Sequence, residues 1–333
     1  MSRGTATVAQ AVELATVTRN GFIESRHSGS AVVLGADGEV LRELGAPSEI
    51  IFTRSALKPL QSLAMQTNGL VLDDSEQIAA SLASHTGTPG HIAIVERMLA
   101  SAGLAEDQLL CPADWPMDQV PRDAVIAAGG TRRRAAMCCS GKHAAMLLTC
   151  VANDWSIGDY TDPEHPLQQA IRDTVQRFTG ERPAPIGVDG CGAPVLGLSL
   201  TGLARGVRRI ATSELSSPFP LHRTAATIIA AAREHPWVVE GPGRPDTIVS
   251  EQLGVFAKFG AEGISVMTAP NGVTVAVKIL DGASRAASVA ALELLVQADA
   301  LDRAAVEQVL PLLRTTVTGG GAPVGEIRAS FDS

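Results

Sequence analysis

The chain has 333 residues, enough for one large domain or two joined ones with a substantial core. Lys and Arg number 27 against 35 Asp and Glu, a formal charge of −8 that argues against a nucleic-acid partner, and the short Arg132-Arg133-Arg134 run reads as a solvated loop. No apolar run reaches the length of a membrane span, about 18 residues; Met1 to Gln10 lacks a secretory pattern; and the five cysteines have no disulfide-framework spacing. The expectation is a soluble cytoplasmic protein whose thiols are reduced or metal-bound.

From Val12 to Leu44 the pattern is β-rich, with Ser30–Leu34 and Glu39–Leu41 flanking a Gly35-Ala36-Asp37-Gly38 turn. A first helix is expected over Thr53–Asn68, starting at Thr53 or Ser55, with Leu57, Leu60, Leu63 and Ala64 on one face and Gly69 as its stop. Thr88-Pro89 supplies an N-cap and first helical residue for a helix to Ala102. More helices are expected over Gly141–Ala152, His165–Phe178, Ser199–Thr212 and Phe219–Glu234, each bounded by Gly, Pro, Ser or Asp. Ile264–Thr268 and Val273–Ile279 flank the hairpin signal Asn271-Gly272, and helices over Ser284–Gln297 and Ala304–Leu313 follow. The Gly319–Arg328 segment lacks the ending of a phosphate loop and reads as a turn into an edge strand. Together these elements predict an α+β fold: β-rich ends, about 10–50 and 255–333, share one antiparallel sheet, and a helical middle, about 53–250, covers it.

Three segments carry residues suited to chemistry. Ser55-Ala56-Leu57-Lys58 puts a hydroxyl and an amine three positions apart on one helix face, a nucleophile and base pair if burial lowers the amine's pKa. Standing alone, the tetrad reads better as an N-cap followed by a solvated lysine. Ser84, in Ala83-Ser84-His85-Thr86-Gly87, lies in a hydroxyl-rich loop that capping and turn formation also explain. Cys139-Ser140-Gly141-Lys142-His143 and Val188-Asp189-Gly190-Cys191 contain donors for zinc: Cys139, Cys191 and either His143 or Lys142. Spacing does not choose between those two, and inert buried thiols are the simpler reading.

Taken together, Glu24–Ser30, Arg54–Pro59, Ser84–Gly87, Cys139–His143, Asp162–Pro166, Val188–Pro194 and Lys278–Gly282 resemble the L-asparaginase II family of the rhizobial, inducible type. The resemblance runs along nearly the whole chain as a single unit. It implies a serine β-lactamase/glutaminase-like fold, a homodimer, and hydrolysis of L-asparagine by Ser55 with Lys58, supported by Ser84 and a distant lysine. By position that lysine is Lys258, where Phe259 replaces a threonine common in the family; Lys278 is the second choice. The resemblance also implies zinc held by Cys139, Lys142 and Cys191, with Arg54, Asp189 and His143 around the substrate. Cys138 stands where asparagine is common. Rival readings are a glutaminase or β-lactamase-like serine hydrolase, and a non-catalytic zinc- or amino-acid-binding protein on the same scaffold.

Overall fold

The computed structural model describes residues 4–72 and 74–331. Its strands are β1 (Val12–Arg19), β2 (Phe22–Leu34), β3 (Val40–Leu44), β4 (Ile50–Phe52), β5 (Ile186–Val188), β6 (Pro194–Ser199), β7 (Phe256–Gly260), β8 (Ile264–Thr268), β9 (Thr274–Ile279), β10 (Thr316–Gly319) and β11 (Ala322–Ala329). An antiparallel sheet runs in the order β10-β11-β1-β2-β9-β8-β7, with β3 continuing along the edge of β2 beyond β1. Ala15 lies opposite Ala329, so strands from the two ends of the chain are neighbours, as expected of a shared sheet. The close approach of β2 to β9 requires Gly29, because a Cβ there would sit 2.0 Å from the Lys278 carbonyl oxygen.

Side chains of β2 alternate between two cores, as the period of a strand dictates. Val32 and Leu34 pack with Leu57, Leu60, Leu63 and Val266 beneath the helical block. Ala31 and Val33 pack on the opposite face with Val275, Val277, Leu292 and Leu295. The sheet is therefore covered on both sides, by the helix Leu200–Ala211 on one face and the helix Ala287–Gln297 on the other. That explains why Ala31 to Leu34 reads as an unbroken apolar run instead of an alternating one.

The helices expected in the middle of the chain are present as Pro89–Ser101, Ser140–Ala152, Pro166–Thr179, Leu200–Ala211 and Pro220–Glu234. Thr88 caps the first of these, its side chain accepting from the His91 N–H. The structure departs from expectation in four places. The first helix begins as a tight 3₁₀ turn, Arg54–Leu57, and becomes α-helical only at Lys58. The helical middle encloses a second small sheet, β4-β6-β5, whose β5–β6 turn is the glycine-rich bend carrying Asp189 and Cys191. Short helices at Ser75–Ser81, Gln119–Ala127 and Pro245–Leu253 were not legible from periodicity. Gly320 and Gly321, both at positive φ, turn a terminal hairpin in which β10 is the edge strand. No helix among the described residues is long and apolar enough to cross a membrane.

Candidate active site

The site forms where the Arg54–Leu57 turn meets the loop after Ser75–Ser81 and the edge strand β7. Thr53 anchors the turn to β6: its N–H and its hydroxyl both donate to the Leu196 carbonyl, at 3.1 and 3.0 Å. Arg54 adopts φ +48°, a region costly for a residue with a Cβ. Its side chain holds that conformation through Nε, which donates to Asp189 Oδ1 at 2.8 Å, while Nη1 lies 3.8 Å from Glu262. Ser55 follows, half-buried, in a turn whose Ala56 N–H donates to the Thr53 carbonyl at 3.3 Å.

Lys58 and Lys258 are both fully enclosed, at 1% and 0% exposure, and converge on Ser84. Lys58 Nζ donates to Ser84 Oγ at 2.8 Å and to the Ala83 carbonyl; no hydrogen bond among the described residues joins Lys58 to Ser55. Lys258 Nζ donates to Ser84 Oγ at 3.0 Å and to the Phe259 carbonyl at 3.1 Å, and lies 4.3 Å from the centre of the Phe259 ring. With both lone pairs occupied by lysine N–H donors, the Ser84 hydroxyl proton is free to be given to a third group. Burial, then the charge of Lys58, pulls the Lys258 pKa down to about 8. Lys278 is elsewhere: its Nζ donates to the carbonyls of Glu262 and Ile279, so Lys258 and not Lys278 is the partner of Ser84.

Cys139, Lys142 and Cys191 meet at the start of the Ser140–Ala152 helix. Gly141 lets this helix lie against the one that leads to Ser84, since a Cβ there would sit 2.4 Å from the Ala80 carbonyl oxygen. Lys142 Nζ donates to Cys191 Sγ at 3.2 Å, and Cys191 Sγ lies 3.9 Å from Asp189 Oδ2. Burial opposes the charge on Lys142, but the neighbouring Cys191, Cys139 and Asp189 outweigh it and raise its pKa. Burial also opposes ionisation of Asp189, yet Lys142 and Arg54 bring its pKa below the ordinary carboxylate value. Through Asp189, the residue beside Ser55 is thus tied to the thiol cluster. His143 Nδ1 bonds the Tyr160 hydroxyl at 2.8 Å, while its buried Nε2, beside Cys191, has no hydrogen-bond partner among the described residues.

This donor set fits zinc only with Lys142 as a nitrogen ligand, because the described residues contain no group of three His, Cys, Asp and Glu placed to hold a metal. Two thiols and an amine around an orphaned imidazole nitrogen are chemically suited to that ion, provided the amine gives up its proton. Cys138, half-buried, has its Sγ 3.7 Å from Cys139 Sγ, and that contact is the leading cause of a pKa lowered to about 7.

Sequence reasoning missed three supports of this site. His85 accepts the Gly87 N–H on Nδ1 at 3.1 Å, which leaves Nε2–H to donate to Ser140 Oγ at 2.9 Å and links the Ser84 loop to the thiol helix. Glu240 and Asp246, buried beside Lys258, carried no sequence signal beyond being acidic residues in a Pro- and Gly-bounded segment. A cleft of about 580 Å³, lined by Ile51, Phe52, Arg54, Glu262, Lys278 and Leu280, opens beside the Ser55 turn.

The sequence family that the chain matches is one of asparaginase-type amidohydrolases. The chain is a member of the L-asparaginase II family, whose model matches residues 15–329. No curated protein sequence matches it. Among solved structures it is similar to Mglu in its glutamate form, at 11% identity and TM-score 0.48, covering 90% of this chain and 66% of that one. It is also similar to a β-lactamase from Mycobacterium bovis, at 15% identity and TM-score 0.44, covering 81% of this chain and 94% of that one.

Proposed function

We propose that this protein hydrolyses the side-chain amide of L-asparagine to L-aspartate and ammonia through an ester on Ser55. The observation that carries the reading is Ser84, held between Lys58 and Lys258 beside an accessible Ser55 in a chain of the L-asparaginase II family. Ser55 Oγ attacks the amide carbon, and its proton passes to the amine of Lys58. Lys58, hydrogen-bonded to Ser84, hands a proton on to that hydroxyl, and Lys258 keeps Ser84 oriented to deliver one to the departing nitrogen. The carbon–nitrogen bond breaks, ammonia leaves, and a β-aspartyl ester remains on Ser55. Water then adds to the ester carbon, the bond to Ser55 Oγ breaks, and aspartate leaves with the serine proton restored. The Ser55 N–H, at the start of the turn, is suited to the oxyanion formed at each addition.

Arg54 and Asp189, already paired, are charged partners for the α-carboxylate and α-amino groups of the substrate, with His143 beside them. Cys139, Lys142 and Cys191 would hold zinc, which when bound supplies a fixed positive charge for orienting the amino-acid end of the substrate. The test is ammonia release from asparagine and glutamine, beside hydrolysis of a chromogenic β-lactam, on protein of measured metal content. Turnover of asparagine above the other two is the expected result. Binding of asparagine by calorimetry with no turnover of any of the three would overturn the reading.

A further inference from the structure

Two buried carboxylates that take no part in the steps above hold the Ser84 and Lys258 contact from outside. Glu240 and Asp246 flank the link between the short helix Pro236–Val239 and the helix Pro245–Leu253, and are 3% and 2% exposed. Their hydrogen bonds close a circuit around the site. The Ser84 N–H donates to the Val239 carbonyl and the Thr86 N–H to the Glu240 carbonyl, each at 2.8 Å. Glu240 Oε2 accepts the Asp246 N–H at 2.8 Å, and Asp246 Oδ2 accepts the Phe259 N–H at 2.6 Å. The Phe259 carbonyl accepts from Lys258 Nζ at 3.1 Å, and Lys258 Nζ returns to Ser84 Oγ at 3.0 Å.

One segment therefore grips the Ser84 loop by its backbone and the Lys258 strand through a carboxylate. The need for that carboxylate is local. β7 ends the sheet, so the outward Phe259 N–H has no strand to bond, and an edge strand left free would let the adjacent lysine drift. Asp246 does not cap its own helix; its Oδ2 is committed to Phe259, and its Oδ1 is buried with no hydrogen-bond partner among the described residues. Two buried acids this close resist joint ionisation, and burial with mutual repulsion raises the pKa of Glu240 to about 7. The charged groups facing the pair are Arg244, at 3.4 Å from Glu240, and Lys258; those facing Lys258 are Lys58, Asp246, Glu240 and Cys139.

We propose that Asp246, locked in place by Glu240, is the positioning residue that holds Lys258 against Ser84, by tying down the Phe259 peptide and by setting a negative charge beside the ammonium. This rests on the reading of Ser84 and Lys258 as working groups, so the test has one arm that needs no turnover. Asp246→Asn keeps an oxygen for the Phe259 N–H but removes the charge. Loss of a neighbouring carboxylate favours the neutral amine, so the Lys258 titration, followed by NMR of carbon-13-labelled lysine, moves to lower pH by about one unit. The limb of the kcat–pH profile that reports this amine moves the same way, whether its charged or neutral form is the working one.

Asp246→Ala, which loses the acceptor as well, lowers kcat roughly 10–100-fold with KM nearly unchanged, and Asp246→Asn retains more of kcat than Asp246→Ala. An unshifted Lys258 titration in Asp246→Asn overturns the proposal, and that variant is conservative enough to decide the matter if Asp246→Ala does not fold. Full activity in Ser84→Ala and Lys258→Ala would instead sink the catalytic reading, leaving the titration to judge Asp246 alone.

Discussion

Of the three fully buried lysines of this site, Lys258 and Lys142 keep opposite company, Lys258 among oxygen acceptors and Lys142 among thiols and a carboxylate. Burial acts on both in the same direction, against the charged form. For Lys258 the charge of Lys58 adds to burial, and Asp246 and Glu240 recover only part of the difference, so its pKa falls to about 8. For Lys142 the nearby Cys191, Cys139 and Asp189 prevail and its pKa rises. Burial is common to both lysines, so the opposite directions of their shifts come from their neighbours. In the proposed mechanism the Lys258 cluster serves proton transfer to and from an amine near neutral pH. The Lys142 cluster favours the retained positive charge, which in the proposed function a metal ion would supply in place of the proton.

The comparison can be broken or sharpened by substitution. Ser55→Ala removes the proposed nucleophile that both clusters serve, and is expected to lower kcat by roughly 10⁴-fold or more with the circular dichroism spectrum unchanged. Normal turnover in that variant would leave the contrast between the lysines without a catalytic meaning. Lys258→Ala and Ser84→Ala are each expected to lower kcat roughly 10²–10³-fold with a smaller change in KM. If both instead raise KM alone, the oxygen-rich cluster binds substrate and does not move protons.

Cys191→Ala, or removal of metal by a chelator, is expected to act on the other side of the contrast. KM rises about 10–100-fold with kcat less affected, and zinc measured by mass spectrometry falls in parallel. A protein that is stripped of metal and keeps its KM would return the thiols to a structural role.

The smallest effect is on stability. Lys258 has a folded pKa of about 8 against 10.5 for the free side chain. Below about pH 8 both states hold the proton and the full cost of burying the charge is present. Between the two values the unfolded chain binds the extra proton, so native stability rises with pH through that window. Lys258→Met has no proton to lose, and is expected to be more stable than the native protein at pH 7 by on the order of 1 kcal/mol. The advantage should fade as the pH passes from about 8 toward 10.5 in urea titrations. An advantage independent of pH would mean that packing, not charge, is what the substitution changed.

Much of this molecule is written locally. The hairpin at Asn271-Gly272, the Thr88-Pro89 helix start, and the Leu60 and Leu63 stripe each depend on residues within a turn or two of one another. For that reason strands at both ends around a helical middle could be expected before any coordinates. Helices of seven to nine residues, such as Ser75–Ser81 and Pro245–Leu253, were missed because they are too short to show a period. The three-residue strands β4 and β5 escaped because their pairing with β6 spans more than a hundred residues in the case of β4 and a glycine-rich bend in the case of β5.

The candidate site divides in the same way. Ser55, Lys58, Ser84, Cys139, Lys142 and Cys191 stand in short segments that sequence alone could single out as chemically suited. Which of them touch is a tertiary matter. The sequence spacing of Ser55 and Lys58 suggested a direct pair, yet Lys58 reaches across to Ser84, because its long side chain finds two oxygens there inside the core. The choice of Lys258 over Lys278 was decided by strand register and side-chain direction, which put one amine on Ser84 and the other on the carbonyls of Glu262 and Ile279. Glu240 and Asp246 owe their place entirely to the fold. A buried acid has no local signature, and only the packing of distant segments removes it from water and gives its charge a partner.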